Sequence, residues 1–255
     1  EFGKGYPGWH IECSAMSTKY LSEQFDIHCG GVDHINVHHT NEIAQTETAT
    51  GKKWVNYWMH GEFLVFDKEK MSKSLGNIIT VSSLAEKGFA PMVYRYLCLN
   101  THYRKKLAFS LKALESSKQS FDRFTEHILK IKGSDDDKGK ERVKLYTEQF
   151  QKAVNDDLNM PKALSVVWTV LRDEKLGDKH KWLLIENFDD VLGLGVHDYK
   201  EEKITLTKDI QDLVDKREQL RQAKKFDEAD KIRDQLTKKG FTLIDTDDDV
   251  QIKKK

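Results

Sequence analysis

Apolar and polar positions follow two different rhythms along this chain, and the change falls near residue 88. Upstream, short β-prone runs alternate with helical patches. Phe25 to His28 leads into Cys29-Gly30-Gly31-Val32-Asp33, Asn41 to Thr50 reads as a helix, and Phe63 to Phe66 is a strand candidate closed by Asp67-Lys68-Glu69. That alternation predicts α/β architecture, in which ligands bind outside strand ends, so the loop from Lys70 to Asn77 is expected to leave a strand there. Beyond Phe89 the apolar residues recur at helical spacing: Met92, Val93, Tyr96, Leu97 and Leu99 predict one buried helix, and Leu164, Val167, Trp168 and Leu171 another. This half is expected to be all-helical. Lys132 to Lys140 is too polar to bury anything and predicts a solvated loop between helices. From residue 204, Ile210, Leu213, Val214, Leu220, Phe226, Ala229, Ile232 and Leu236 mark one or two amphipathic helices. Gly240 stops them before an extended Phe241 to Ile244, and this last unit is expected to be a separate appendage.

Composition narrows the class. With 255 residues, 38% apolar and 33% charged, the chain is long enough for about two globular domains, and disorder is not the default. Lys and Arg (42) balance Asp and Glu (42), so a nucleic-acid partner has to be held by local basic patches rather than by an overall field. Three cysteines at irregular spacing exclude a disulfide framework and fit a reducing compartment; a cytoplasmic location is expected. Glu1 to Pro7 lacks the apolar core of a signal peptide, and no stretch is long enough to span a bilayer, so no membrane partner is expected.

Two segments carry candidate chemistry. His38 and Glu42 stand four residues apart, on one face of a helix, and Cys13 can join them through the fold to give a thiolate, an imidazole and a carboxylate with a further position left open. His28, Cys29, His34 and His39 lie close in sequence and are alternative ligands that spacing does not separate. Downstream, Lys70-Met71-Ser72-Lys73-Ser74-Leu75-Gly76-Asn77 offers two lysines about a serine, donors suited to a triphosphate and to the charge that builds on it during phosphoryl chemistry. Cys98, inside the apolar run from Tyr94 to Leu99, reads as core packing.

The loop matches the KMSKS signature of class I aminoacyl-tRNA synthetases, and the segments around it sharpen the resemblance. Pro7-Gly8-Trp9-His10-Ile11-Glu12-Cys13-Ser14-Ala15-Met16 resembles the zinc-cysteine segment of cysteinyl-tRNA synthetases. Asp26-Ile27-His28 with Gly30, Gly31 and Asp33 resembles that family's glycine-rich nucleotide strand, and His38 to Gln45 its second metal segment. Further similarities lie at Arg95-Tyr96, His102-Tyr103-Arg104, Asp156 to Leu164, and Ala223 to Arg233.

The resemblance implies an α/β Rossmann-type catalytic half followed by an all-α helical bundle and a small C-terminal anticodon-binding domain. The implied boundaries are 1–88 for the second half of the Rossmann domain with its KMSKS loop, 89–118 for stem-contact helices, 119–203 for the bundle and 204–255 for the anticodon-binding domain. It implies ATP-dependent attachment of L-cysteine to tRNA(Cys) through cysteinyl-adenylate, one Zn2+ held by Cys13, His38 and Glu42, and ATP with Mg2+ as substrate. Lys70, Ser72 and Lys73 take catalytic roles, Lys73 with Gly30, Gly31 and Asp33 binds ATP, Trp9 walls the cysteine pocket, and Arg221, Phe226, Asp230 and Asp245 meet the anticodon. A monomer is expected. The family's HIGH motif and the zinc-ligand cysteine near it do not occur in these residues, so this chain alone is expected not to form the adenylate. Two other readings are a cysteine ligase of thiol biosynthesis, which has no need of the segment from Ile204 to Ile252, and a noncatalytic RNA-binding module of synthetase descent.

Overall fold

A computed structural model describes residues 3–66, 79–200, 207–245 and 250–254, and in strands β5 and β6 the backbone with few of the side chains. The chain forms two units, residues 1–199 and 200–255.

The first unit opens with helix α1 (Trp9–Leu21), strand β1 (Phe25–Gly31), a 3-10 turn (Val32–His34), a π-helical turn (Ile35–His39), helix α2 (Thr40–Thr50) and strand β2 (Val55–Gly61). β1 and β2 pair in parallel, with Ile27 opposite Tyr57 and His28 opposite Trp58. Parallel strands need a crossover, and α2 supplies it, ending at Gly51 in the left-handed conformation that glycine adopts without penalty. Alternation along the strands then sorts the side chains. His28 and Trp58 turn toward the α2 side, where they meet Glu42 and His39, whereas Ile27 and Tyr57 share the opposite face and are 55% and 69% exposed. α1 packs on α2 through the buried Ser14, whose hydroxyl donates to Gln45 Oε1 at 3.2 Å.

Strand β3 (Leu64–Phe66) pairs in parallel with β4 (Leu107–Phe109), and helices α3 (Val81–Glu86) and α4 (Pro91–Leu99) lie between them in sequence. β4 corrects the expectation of an all-helical second half; three residues are too few to show a period-2 pattern. Helices α5 (Leu111–Ile131), α6 (Arg142–Asn155), α7 (Met160–Arg172) and α8 (Asp178–Leu192) build a continuous core around Phe124, Ile128, Val167, Phe188 and Leu192. α5 runs unbroken through residues 118 and 119. Ser110 caps α5 by accepting from Ala113 N–H, and Asn159 caps α7 by accepting from Lys162 N–H, with Pro161 in the first turn. In α4 only Val93 and Tyr96 are buried; Met92, in the helix's first turn, is exposed.

Residues 132–140 do more than the solvated loop expected of them. Carbonyls of Asp136, Asp137 and Lys138 accept from Lys179 N–H, His180 Nε2 and Gly177 N–H at 3.0, 2.8 and 2.9 Å, tying the segment to the start of α8. The approach requires Gly177, because a Cβ there would stand 2.3 Å from the Asp136 carbonyl oxygen.

The second unit holds α9 (Lys208–Gln222), α10 (Phe226–Lys238) and an antiparallel pair, β5 (Phe241–Asp245) with β6 (Val250–Lys254). Ile210, Val214, Ile232 and Leu236 form its own small core. Among the described residues no helix is long and apolar enough to cross a membrane.

Candidate metal centre

Cys13 stands in α1, His38 in the π-helical turn and Glu42 in the first turn of α2. Sequence places these residues 25 and 4 positions apart; the packing of α1 on α2 brings one donor atom of each within 4.8 Å of the others. π-helical turns interrupt regular hydrogen bonding and recur at functional sites. This one carries His38 and His39 on consecutive positions against the same glutamate.

Glu42 decides the chemistry of the cluster. Its side chain is fully buried, and Oε1 is sealed from solvent with no well-directed hydrogen bond, although His38 Nε2 lies 3.3 Å away. An isolated buried carboxylate oxygen is costly. Two donors bound at ~2.0–2.1 Å to one tetrahedral ion stand roughly 3.3–3.4 Å apart, so the spacing of His38 and Glu42 is that of two ligands. Burial, and then the Glu42 charge, push the Cys13 thiol above its ordinary pKa, and a cation bound at this point would outweigh both by favouring the thiolate. The donor set of sulfur, nitrogen and oxygen fits zinc, with a fourth position for another ligand.

A second group, His28, His39 and Glu42, also brings three donors within 4.8 Å. Here the carboxylate oxygen is satisfied: His28 Nε2 reaches Glu42 Oε2 at 3.1 Å, and His39 Nε2 lies 3.9 Å from the same atom. His39 Nδ1 is 2.8 Å from His60 Nε2, and burial, followed by the neighbouring imidazoles, lowers its pKa to about 4, so the ring is neutral at physiological pH. Residue type alone gives little sign of His60; its one trace is a histidine near the end of a mainly apolar strand, beside Gly61. The alternative ligand Cys29 is exposed, on the β1 face opposite His28.

The remaining expected site residues are dispersed. Trp9 lies one turn before Cys13 on α1 and is 78% exposed. Gly30 and Gly31 end β1 and the exposed Asp33 follows in the 3-10 turn. Gly30 faces imidazoles: a Cβ there would stand 2.6 Å from His39 Cε1. Lys70, Ser72 and Lys73 lie outside the described residues. In the second unit Arg221 is in the last turn of α9, Phe226 opens α10 and is 58% exposed, and the exposed Asp230 pairs with Arg233 at 3.3 Å. Asp245 ends β5.

The family model for the class I (C) tRNA synthetase catalytic domain matches residues 1–119, and that for the cysteinyl-tRNA ligase anticodon binding domain matches residues 205–252. A Cysteine--tRNA ligase of Burkholderia lata is 42% identical over 96% of this chain and 51% of its own length. Those of Treponema denticola and Protochlamydia amoebophila are 40% identical over 96% and 99% of this chain and 55% of theirs. The chain thus spans about half the length of the curated relatives it matches. A solved LeuRS–tRNA ternary complex from Agrobacterium radiobacter aligns with 68% of this chain and 26% of its own at 15% identity and a TM-score of 0.49. With a catalytic-domain match at one end, an anticodon-domain match at the other and ligases of one specificity aligned across nearly all of it, the chain belongs to the cysteinyl-tRNA synthetase family.

Proposed function

We propose that this chain supplies the amino-acid recognition centre and the tRNA-binding parts of an enzyme that attaches L-cysteine to tRNA(Cys) at the expense of ATP. The observation that carries the reading is the sealed Glu42 oxygen beside His38 and Cys13. Zinc, when bound there, supplies a borderline-soft centre that prefers a thiolate to a hydroxyl, a distinction of cysteine from serine that an apolar pocket makes poorly. The chain's own residues do the rest. Cys13, His38 and Glu42 would hold the ion with at least one position left to another ligand, and Trp9, on the Cys13 face of α1, would wall the cysteine pocket. Gly30, Gly31 and Asp33 border the adenosine of ATP, with Asp33 accepting from ribose hydroxyls. Lys73 contacts the phosphates of ATP with its Mg2+, and Lys70 and Ser72 shape the loop around them.

Arg221, Phe226, Asp230 and Asp245 meet the anticodon by charge, stacking and acceptance from base edges. The anticodon-domain match over 205–252 favours the synthetase over a thiol-biosynthesis ligase. The divisions 1–88, 89–118, 119–203 and 204–255, a monomeric state and a cytoplasmic location belong to the same proposal.

A cobalt-loaded chain tests it. L-Cysteine is expected to add a second thiolate-to-metal absorption to that of Cys13, and L-serine at equal concentration none; an unchanged spectrum with cysteine contradicts the reading. The chain by itself is expected to give no ATP–pyrophosphate exchange.

A further inference from the structure

The turn between α6 and α7 runs against its own residue types. It closes α6 through bonds from Leu158 N–H to the Val154 carbonyl at 3.0 Å and from Asn159 N–H to the Ala153 carbonyl at 3.2 Å. Such a turn calls for the left-handed backbone that glycine supplies, yet Asp157 and Leu158 stand there with φ of 54° and 53°. Aspartate tolerates this region. Leucine adopts it at a cost, and the Leu158 side chain is 41% exposed, so burial does not offset that cost. Strain of this kind persists where neighbouring contacts enforce it.

The enforcing contacts belong to Asp157. Its carboxylate gathers three consecutive side chains of the segment between α4 and β4. Tyr103 Oη donates to Oδ1 at 2.6 Å, Arg104 donates to Oδ2 through Nε and to Oδ1 through Nη2, and His102 Nε2 stands 4.0 Å from Oδ2. These side chains brace one another: His102 stacks on Tyr103 with centroids 5.0 Å apart, and the Arg104 guanidinium lies over the Tyr103 ring at 5.3 Å. The backbone around them is tied to the α/β layer. Glu62 N–H donates to the Tyr103 carbonyl at 2.8 Å, and Leu107 N–H to the Phe63 carbonyl at 3.1 Å, where β3 and β4 begin.

We propose that Asp157 is a positioning residue: its carboxylate clasps Tyr103 and Arg104, and through their backbone fixes the leads into β3 and β4. The bundle is thereby tied to the strand that runs on in sequence toward Lys70 to Asn77, and a shift of the α6–α7 turn is passed to that strand through one side chain. The clasp uses none of the metal donors and stands whether or not the metal reading does. A glycine at 157 would serve the turn better and lose the clasp.

Residue-by-residue amide hydrogen exchange of the 255-residue chain reads the clasp directly. In Asp157→Ala the Glu62 and Leu107 amides are expected to exchange about tenfold faster, while those of Phe150 and Val167 in the bundle core keep their rates. Asp157→Asn, which suits a left-handed backbone and still accepts from Tyr103, is expected to recover part of the protection. Leu158→Asn lowers the cost of the turn and keeps the carboxylate, so the same two amides are expected to slow about two- to fivefold. Tyr103→Phe is expected to speed them in the starting chain and to add nothing in Asp157→Ala, because both changes break one contact. Unchanged exchange at Glu62 and Leu107 in Asp157→Ala overturns the proposal, since the carboxylate then holds nothing beyond itself. Equal acceleration at Phe150 and Val167 overturns it too, because Asp157 then serves the stability of the bundle alone. So does a Tyr103→Phe effect that adds in full to Asp157→Ala.

Discussion

The helical bundle and the α/β layer of the first unit treat their apolar residues in opposite ways. In α5 to α8 the large side chains face one another: Phe124 and Phe188 are essentially inaccessible, and Phe150 stacks on Phe188 with centroids 4.0 Å apart. In the α/β layer, Ile27, Tyr57, Val37 and Trp9 stand in solvent, and the parallel sheet has two strands where parallel sheets are ordinarily covered on both faces. The difference has a direction. The covered side of β1 and β2 carries His28, Trp58 and the α2 glutamate, whereas the open side carries only apolar surface. The metal donors therefore belong to the half of the layer that is already packed, and no residue of α1, β1, α2 or β2 enters the bundle's core.

That contrast can be broken in four places. The largest effect is expected from Phe188→Ala, which removes one of two stacked rings from a filled core and is expected to cost about 3–5 kcal/mol, measured as a fall in the urea midpoint of the helical signal. Zinc comes next. At a hundred times its dissociation constant it is expected to add about 2.7 kcal/mol, and amide hydrogen exchange should slow in α1, β1, α2 and β2, not in α5 to α8; a chelator should reverse it. Protection appearing in the bundle instead would place the ion elsewhere.

Asp173 tests the bundle by pH. Burial raises its pKa, but hydrogen bonds from Tyr146 at 2.7 Å, the Lys175 amide at 3.0 Å and Arg142 at 2.6 Å outweigh that and hold it below its ordinary value. A carboxylate depressed in the folded state stabilises the fold above its unfolded pKa and loses that contribution as pH falls through the folded one, here from about pH 4 downward. Asp173→Asn is expected to cost about 1–3 kcal/mol at neutral pH and to flatten the acid limb of the stability curve. The smallest effect is expected at Ile27→Ser, within about 0.5 kcal/mol in the chain alone; a loss of about 2 kcal/mol or more would mean that this face is packed after all.

Legibility in the sequence followed the same division. Alternating short runs gave β1, α2 and β3, and the four-residue step from His38 to Glu42 gave a shared face that survives the π-helical turn, since both atoms still meet at 3.3 Å. The choice of Cys13 over Cys29 came from resemblance, and the structure supplies its physical reason: strand alternation turns Cys29 away. His28 was legible only as one of several alternative ligands and His60 not at all, because their places in the cluster depend on the β1–β2 register and on which face α2 covers, neither of which is a local property. The tether between residues 136–138 and α8 is accepted by backbone carbonyls, which leave no mark on residue type; its marks are the glycine at 177 and the imidazole of His180, neither of which names its partner.

The most direct measurement is zinc content by mass in the purified chain and in Cys13→Ala and Glu42→Ala. One ion per chain, falling to well under half an equivalent in both variants under the same dialysis, is the predicted result. Unchanged stoichiometry in the two variants would contradict the assignment of Cys13, His38 and Glu42 as the metal centre.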